Sequence, residues 1–223
     1  MTRKLYGVKD EVKGGSTTSR RERARQTREK IVRAADEEFR AAGYQGATMA
    51  AIARRAGFAE QTVYFVFHTK AELLSNVIDA AVLGTEDPIT PEEAPWYQAM
   101  EAEPDPVASL HIFMRGVADV LARAAPLKPI VRAAATVDPE AQRVQAKHER
   151  MRHQAYRQVM ENLATKGRLR EGVSLDSGTD ILLVLGGDEG YQAFRDRGWP
   201  HEQCVEYLSS VLPELLLAPK QSK

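Results

Sequence analysis

The chain has 223 residues, enough for one large domain or two modest ones and ample to bury a core. Hydrophobic residues make up 43% and charged residues 28%, which excludes a disordered or collagen-like chain, and the single cysteine, Cys204, excludes an internal disulfide framework and a multi-cysteine zinc site. The net charge is zero but locally unbalanced, because residues 1–70 hold 15 Lys and Arg against 8 Asp and Glu whereas residues 71–223 hold 16 against 23, so a basic front that suits a polyanion precedes an acidic back.

Residues 1–19 are polar, carry Gly14-Gly15 and a Ser/Thr cluster, and read as a disordered arm. From residue 20 onward the pattern is helical, with no alternating strands and no Asn-Gly or Asp-Gly hairpin turns, so an all-α fold is predicted. Ile31, Ala35, Phe39 and Ala42 define a helix over about 24–42 that stops at Gly43. Thr48 is the N-cap of a short helix carrying Ile52, Ala53 and Ala56, which closes at Gly57. Helices over about 60–66 and 69–83 follow. Residues 84–104 hold four prolines and form a connector, in which Thr90-Pro91-Glu92-Glu93 caps one short helical turn. Asp105-Pro106 and Asp138-Pro139 start two more helices. The first carries Val107, Leu110, Met114, Val117 and Leu121 on one stripe; the second is near 28 residues long, with Val144, Met151, Ala155 and Val159 on its buried side, and ends around Lys166-Gly167. Two last helices span about 177–196 and 200–217, and 218–223 is a tail. The longest strongly apolar run, Ile181 to Leu185, is too short to cross a bilayer, and MTRKLYGVKDEVKGG contains no secretory apolar stretch, so a cytoplasmic chain without a membrane partner is expected.

Function is concentrated in residues 48–67, TMAAIARRAGFAEQTVYFVF. Two short helices joined by a tight turn at Ala56-Gly57-Phe58 make a helix-turn-helix, and the glycine supplies a backbone conformation that residues with a Cβ resist. Val63 and Phe67, four apart, face Ile52 and Phe39. That leaves Gln61, Thr62, Tyr64 and Phe65 on the outer side and flank of the second helix, a polar and aromatic face that suits the major groove, while its amino end brings backbone N–H groups near phosphate.

The run from Arg28 to Leu74 resembles the DNA-binding domain of the TetR family of bacterial transcriptional regulators. The resemblance rests on Ile31, Ala34-Ala35, Phe39, Gly43-Tyr44, Thr48, Ile52-Ala53, Ala56-Gly57, Thr62-Val63-Tyr64, Phe67, Lys70 and Leu73. The carboxyl end, Tyr191…Gly198-Trp199…Glu202…Tyr207-Leu208, is similar to the family's last two helices. The implied architecture is a helix-turn-helix domain over 20–70 and a helical effector-binding and dimerisation domain over 71–217. The resemblance implies that Thr48, Tyr64 and Lys70 grip phosphates, that Gln61 and Thr62 meet base edges, and that Phe65 touches a thymine methyl. Glu60 either accepts from cytosine N4 or simply favours the helix dipole. Three positions depart from the common pattern, Ala50, Ala59 and Val66, each lacking a polar anchor. Arg20, Arg21 and Arg25 offer compensation by reaching the adjacent minor groove, whereas Arg23 is as well explained by a solvated helix start.

A lone helix-turn-helix reads too few base pairs to find a site, so a homodimer on a palindromic double-stranded operator is expected. The last two helices form the expected dimer surface through Leu185, Tyr191, Val205, Leu208, Val211, Leu212 and Leu215, with Gly186-Gly187 allowing close helix approach at this seam or inside the protomer. The middle helices surround an expected pocket for a small-molecule effector of unknown identity. Its candidate lining residues are Trp96, Met100, His111, Met114, His148, Met151, Tyr156 and Asp188, each alternatively an ordinary core residue. Asp188 is either a pocket polar group or the partner of a basic residue at the dimer seam.

No enzyme, cofactor or metal is expected. His148 and His153 are five apart, roughly 140° around a helix, and do not share a face as zinc-protease histidines do. Gly186-Gly187-Asp188-Glu189-Gly190 lacks a P-loop lysine. The expected function is a repressor released by its effector; the alternatives are a constitutive architectural DNA-binding protein or an activator without an inducer.

Overall fold

The structure, a computed structural model, describes residues 17–84 and 89–219. Residues 1–16 of the expected arm and 220–223 of the tail lie outside the described residues. Among the described residues there are helices and no strand, with one isolated antiparallel bridge between Leu169 and Leu217. The chain divides into two compact units, Met1–Pro88 with Pro129–Lys147, and Ile89–Lys128 with His148–Lys223. The first unit therefore includes a stretch that the sequence reading assigned to the second domain.

In the first unit, α1 (Thr17–Gly46) starts earlier than expected and takes in residues 17–19 of the predicted arm. Gly43 leaves helical conformation at φ 69°, as the glycine stop predicted, and the chain makes one further turn to Gly46. α2 (Met49–Ala56), α3 (Glu60–Val66) and α4 (Lys70–Leu83) fall within a residue of their predicted spans. The inward residues Ile31, Phe39, Ile52, Val63, Phe67, Leu73 and Leu74 are all fully buried, so one apolar centre holds α1 to α4 together. α7 (Lys128–Val137) from Pro129 onward, and the first turns of α8 (Pro139–Lys166) up to Lys147, also belong to this unit. α7 was not anticipated.

The second unit contains α5 (Pro95–Ala102), α6 (Pro106–Ala124), the rest of α8, α9 (Leu175–Leu185), α10 (Asp188–Arg195) and α11 (His201–Leu216). Thr90 to Glu93 forms the expected short turn, a 3-10 turn in which the Glu93 carboxylate accepts from the Thr90 N–H at 3.2 Å, the acidic half of a capping box. α5, with proline in its first turn, occupies what was read as connector. The buried stripe of α8 runs through Met151, Tyr156, Val159, Met160 and Leu163, while Val144, His148 and Ala155 remain half-buried.

The span 177–196 is two helices, not one. α9 ends at Gly186 and α10 begins after Gly187, whose backbone is extended there (φ −94°, ψ −171°), and only glycine fits, since a Cβ at Gly187 would lie 2.2 Å from the Leu183 carbonyl oxygen. At Gly186 a Cβ would lie 2.9 Å from Leu212 Cδ1 of α11, so the close helix approach expected of this pair is made within the protomer.

Candidate nucleic-acid interface

The helix-turn-helix is built from short-range physical devices. Thr48 accepts a hydrogen bond from the Ala51 N–H through Oγ1 at 3.1 Å and starts α2. Gly57 adopts the left-handed conformation at φ 75°, which reverses the chain and lets the Phe58 N–H bond the Ala53 carbonyl at 3.0 Å. α3 begins at Ala59 without a side-chain cap, as the missing serine implied.

Polar ties then fix the orientation of α2 and α3. Arg55 at the end of α2 pairs with Glu37 and Glu38 of α1 at 3.2 and 2.9 Å. Arg28 of α1 donates to Asn76 Oδ1 of α4 at 2.7 Å, and its guanidinium stacks 4.3 Å from the Phe67 ring centroid just after α3. Thr69 caps α4 by accepting from the Glu72 N–H at 3.0 Å, and Glu72 accepts from the His68 N–H at 2.9 Å.

With Val63 buried and held inward, α3 presents its other face to solvent. Gln61, Tyr64 and Phe65 are exposed there, Phe65 at 85%, and Thr62 is half-buried at the flank. Glu60 is an exposed first-turn acid, and Thr48 is exposed at the start of α2. Arg20 and Arg21 are exposed on the first turns of α1. Arg25 is committed locally: it bonds Glu22 at 2.7 Å and Glu29 at 2.5 Å, and these carboxylates push its already high pKa higher.

Lys70 has a more complex place than a free phosphate-binding charge. Its Nζ donates to the carbonyls of Tyr44 and Ala47 at 2.7 and 3.0 Å and lies 4.3 Å from the Tyr44 ring centroid. Two of its three N–H donors are therefore spent on the chain that leaves α1, and one remains for an anion. Burial lowers its pKa, and the Asp138 carboxylate opposes that shift. Tyr44 in turn donates to Asp138 Oδ2 at 2.5 Å, while Asp138 Oδ1 accepts the Glu140 N–H at 2.8 Å and starts α8. The Tyr44 hydrogen bond holds the Asp138 carboxyl below the usual carboxylate range. Sequence reasoning missed this knot; its partners are far apart in the chain, and no local pattern joins them.

In the second unit the expected pocket residues are packed rather than open. Met100 and Met114 are fully buried, and Tyr156 lies with them in a core cluster that also holds Phe113. Trp96 packs against Phe113 and Tyr97 and sits on Gly116, where a Cβ would meet the indole at 2.2 Å. Met151 is buried, and His111 and His148 are half-buried. Asp188 is buried and paired with Arg152, with Lys128 Nζ at 3.8 Å, so its basic partners are on α8 and at the start of α7 in its own protomer. A partly open cavity of about 320 Å³ is lined instead by Ala122, Pro126, Tyr191, Gln192, Arg195 and His201. None of the eight expected pocket residues is among these.

The residues expected at the dimer surface differ in exposure within the protomer. Tyr191, Leu208 and Leu212 are 2%, 3% and 0% exposed in the protomer, and Val205 is buried as well, so they have almost no surface left to cover. Tyr191 uses its hydroxyl on His201 Nδ1 at 2.8 Å. Leu185 and Leu215 are exposed and Val211 is half-buried. Val184 and Tyr207, which the sequence reading passed over, are the other large exposed apolar residues of α9 and α11; Tyr207, Val211 and Leu215 follow a four-residue spacing that would have marked them.

No group of three His, Cys, Asp or Glu able to hold a metal ion occurs among the described residues, and no helix among them is long and apolar enough to cross a membrane.

A buried helix-turn-helix with an exposed polar and aromatic second helix defines a DNA-binding class of protein. Residues 31–77 match the model of the bacterial regulatory proteins of the tetR family. Among solved structures the chain is similar to NalD from Pseudomonas aeruginosa, the secondary repressor of the MexAB-OprM multidrug efflux pump, with 22% identity, a TM-score of 0.64 and coverage of 87% of this chain and 97% of that one. It is also similar to the ketosteroid transcriptional regulator KstR2 of Mycobacterium tuberculosis, with 15% identity, a TM-score of 0.58 and coverage of 86% and 95%. No curated protein sequence matches the chain. The likeness to the tetR family model is thus confined to residues 31–77, while over most of its length the chain has the fold of these solved TetR-type structures.

Proposed function

We propose that the protein is a repressor that binds a palindromic operator as a homodimer and leaves it when a small-molecule effector binds. The observation that carries this reading is the exposed Gln61, Tyr64 and Phe65, with half-buried Thr62 at their flank, on an α3 tied to its neighbours and flanked by Thr48 and by the remaining donor of Lys70. Gln61 and Thr62 meet base edges; Thr48, Tyr64 and Lys70 hold phosphates; Arg20 and Arg21 extend the basic surface along α1. Two-fold pairing uses the apolar stripe of exposed Tyr207 and Leu215 and half-buried Val211, with exposed Val184 and Leu185. A small-molecule effector acts through the second unit, where the cavity beside Tyr191, Arg195 and His201 offers space. It favours a subunit arrangement in which the two recognition helices no longer match successive major grooves.

Similarity to NalD, the secondary repressor of an efflux pump, supports repression over activation. The test is selection of duplexes from a random pool, then a thermal-melting screen of small lipophilic compounds. A compound that raises the melting midpoint and releases the recovered duplex at the same dose supports the reading. Tight duplex binding that no stabilising compound relieves supports the constitutive architectural alternative instead.

A further inference from the structure

We propose that the cavity beside Arg195 and His201 is a site for a small organic monocarboxylate with a compact apolar body. This names a ligand class for the effector cavity and so rests, for its regulatory meaning, on the reading above. All of the lining residues belong to the second unit, and the volume of about 320 Å³ sits at the low end of small-molecule sites. Ala122 near the end of α6 and Pro126 in the 3-10 turn that follows it supply an apolar lining. Tyr191, Gln192 and Arg195 of α10 and His201 of α11 supply the polar lining.

Arg195 brings the fixed positive charge. It pairs with no carboxylate among the described residues, and its hydrogen bond runs from Nη1 to the Trp199 carbonyl at 2.6 Å. That bond tethers the guanidinium and leaves the edge of Nε and Nη2, the two parallel donors that a carboxylate accepts in bidentate fashion. His201 is half-buried, and the Tyr191 hydroxyl lies 2.8 Å from its Nδ1. Burial raises the pKa of that hydroxyl, which stays protonated and donates to Nδ1. The imidazole proton is then on Nε2, a further donor for a ligand oxygen. Two acids stand nearby but do not line the cavity. Asp196 is held by Gln192 Nε2 at 2.6 Å, and Glu202 lies in the first turn of α11. Their charges disfavour a dianion more than a monoanion. Ala122 and Pro126 offer no side-chain hydrogen bond, so the rest of the ligand is apolar and, at this volume, about the size of one ring or a short branched chain.

The probe is benzoate, with benzamide as its uncharged counterpart, titrated into the full chain without DNA and followed by heteronuclear NMR. Benzoate is expected to saturate with a Kd of about 1 mM or tighter, and benzamide to bind about tenfold more weakly. Arg195→Gln, which keeps a donor for the Trp199 carbonyl, should weaken benzoate about tenfold and leave benzamide unchanged. Arg195→Lys keeps the charge without the fork and falls between the two. Ala122→Phe fills the apolar side from an exposed helix position and should abolish binding of both probes. Melting of each variant without ligand shows that it is folded. The inference is overturned by equal binding of benzoate and benzamide, or by benzoate binding that survives Arg195→Gln or Ala122→Phe. Sulfate competing as well as benzoate, or no saturation by about 10 mM benzoate, overturns it too. Duplex release is read separately. Benzoate that binds here and leaves a selected duplex bound supports the site but contradicts this cavity as the effector's. A neutral compound that releases the duplex, with no carboxylate bound, overturns the site and leaves the repressor reading standing.

Discussion

Lys70 carries two assignments that one substitution separates. Lys70→Met keeps most of the aliphatic stem over the Tyr44 ring and removes the ammonium. The carbonyls of Tyr44 and Ala47 then lose donors at 2.7 and 3.0 Å, beside residues that are both buried. Charge-assisted hydrogen bonds contribute about 1.5–3 kcal/mol in such settings. The ammonium is half-buried and its own desolvation opposes the gain, so the loss of stability is set at about 2 kcal/mol for the pair. Urea unfolding followed by circular dichroism reads that arm. The second arm is a salt titration on a selected duplex. One phosphate contact per protomer, two per dimer, lowers the slope of log K against log salt by about 1.8. The affinity ratio of wild type to variant then shrinks about tenfold between 50 and 200 mM salt. A full loss of stability with an unchanged slope makes Lys70 a cap alone and refutes its phosphate role. A reduced slope with unchanged stability refutes the capping argument.

Three further outcomes follow from the same geometry. Gly57→Ala costs about 1 kcal/mol in urea, because φ is 75° and a Cβ meets nothing within 4 Å, so the whole cost is backbone; a neutral result would mean that the turn relaxes. Burial pushes the Asp79 carboxyl up to about 6, against Lys147 and Arg28. A folded pKa above the unfolded one favours the folded state below pH 4 and loses that contribution as pH rises through 6, so Asp79→Asn should stabilise by about 2 kcal/mol at pH 7 relative to its effect at pH 4. An equal effect at both pH values contradicts this. Asp188→Ala strands the Arg152 guanidinium and should cost about 3 kcal/mol, whereas the double change Asp188→Leu with Arg152→Leu recovers most of it; additive losses would show that the pair is uncoupled.

Local signals made much of the first unit legible. Thr48 and Gly57 mark the ends of α2, and the four-residue spacing of Val63 and Phe67 fixes which face of α3 is left exposed. Asp138-Pro139 and Lys166 bound α8 at its full 28 residues. The misses have equally definite causes. α5 and α7 begin with Pro95 and Lys128-Pro129; Pro95 reads as part of a connector, yet the first-turn N–H groups of a helix have no intrahelical acceptor to lose, so proline is at home there. Helical periodicity continues across Gly186-Gly187, and only the packing around the pair reveals the break. The apolar face of α11 is broad enough to suggest partnership, but Leu208 and Leu212 bury theirs inside the protomer and leave Tyr207 and Leu215 outside. The methionines of the middle helices fill core, and side-chain type alone does not separate core from cavity wall. The Lys70–Tyr44–Asp138 knot joins residues too far apart in the chain for any spacing rule.

The most direct test is sedimentation of the full chain with the duplex recovered from a random pool. Two protomers per duplex are predicted, on an inverted repeat whose half-site centres lie about 34–36 Å apart or a multiple of that spacing. One protomer per duplex, or an enriched sequence with no two-fold symmetry, would contradict the account.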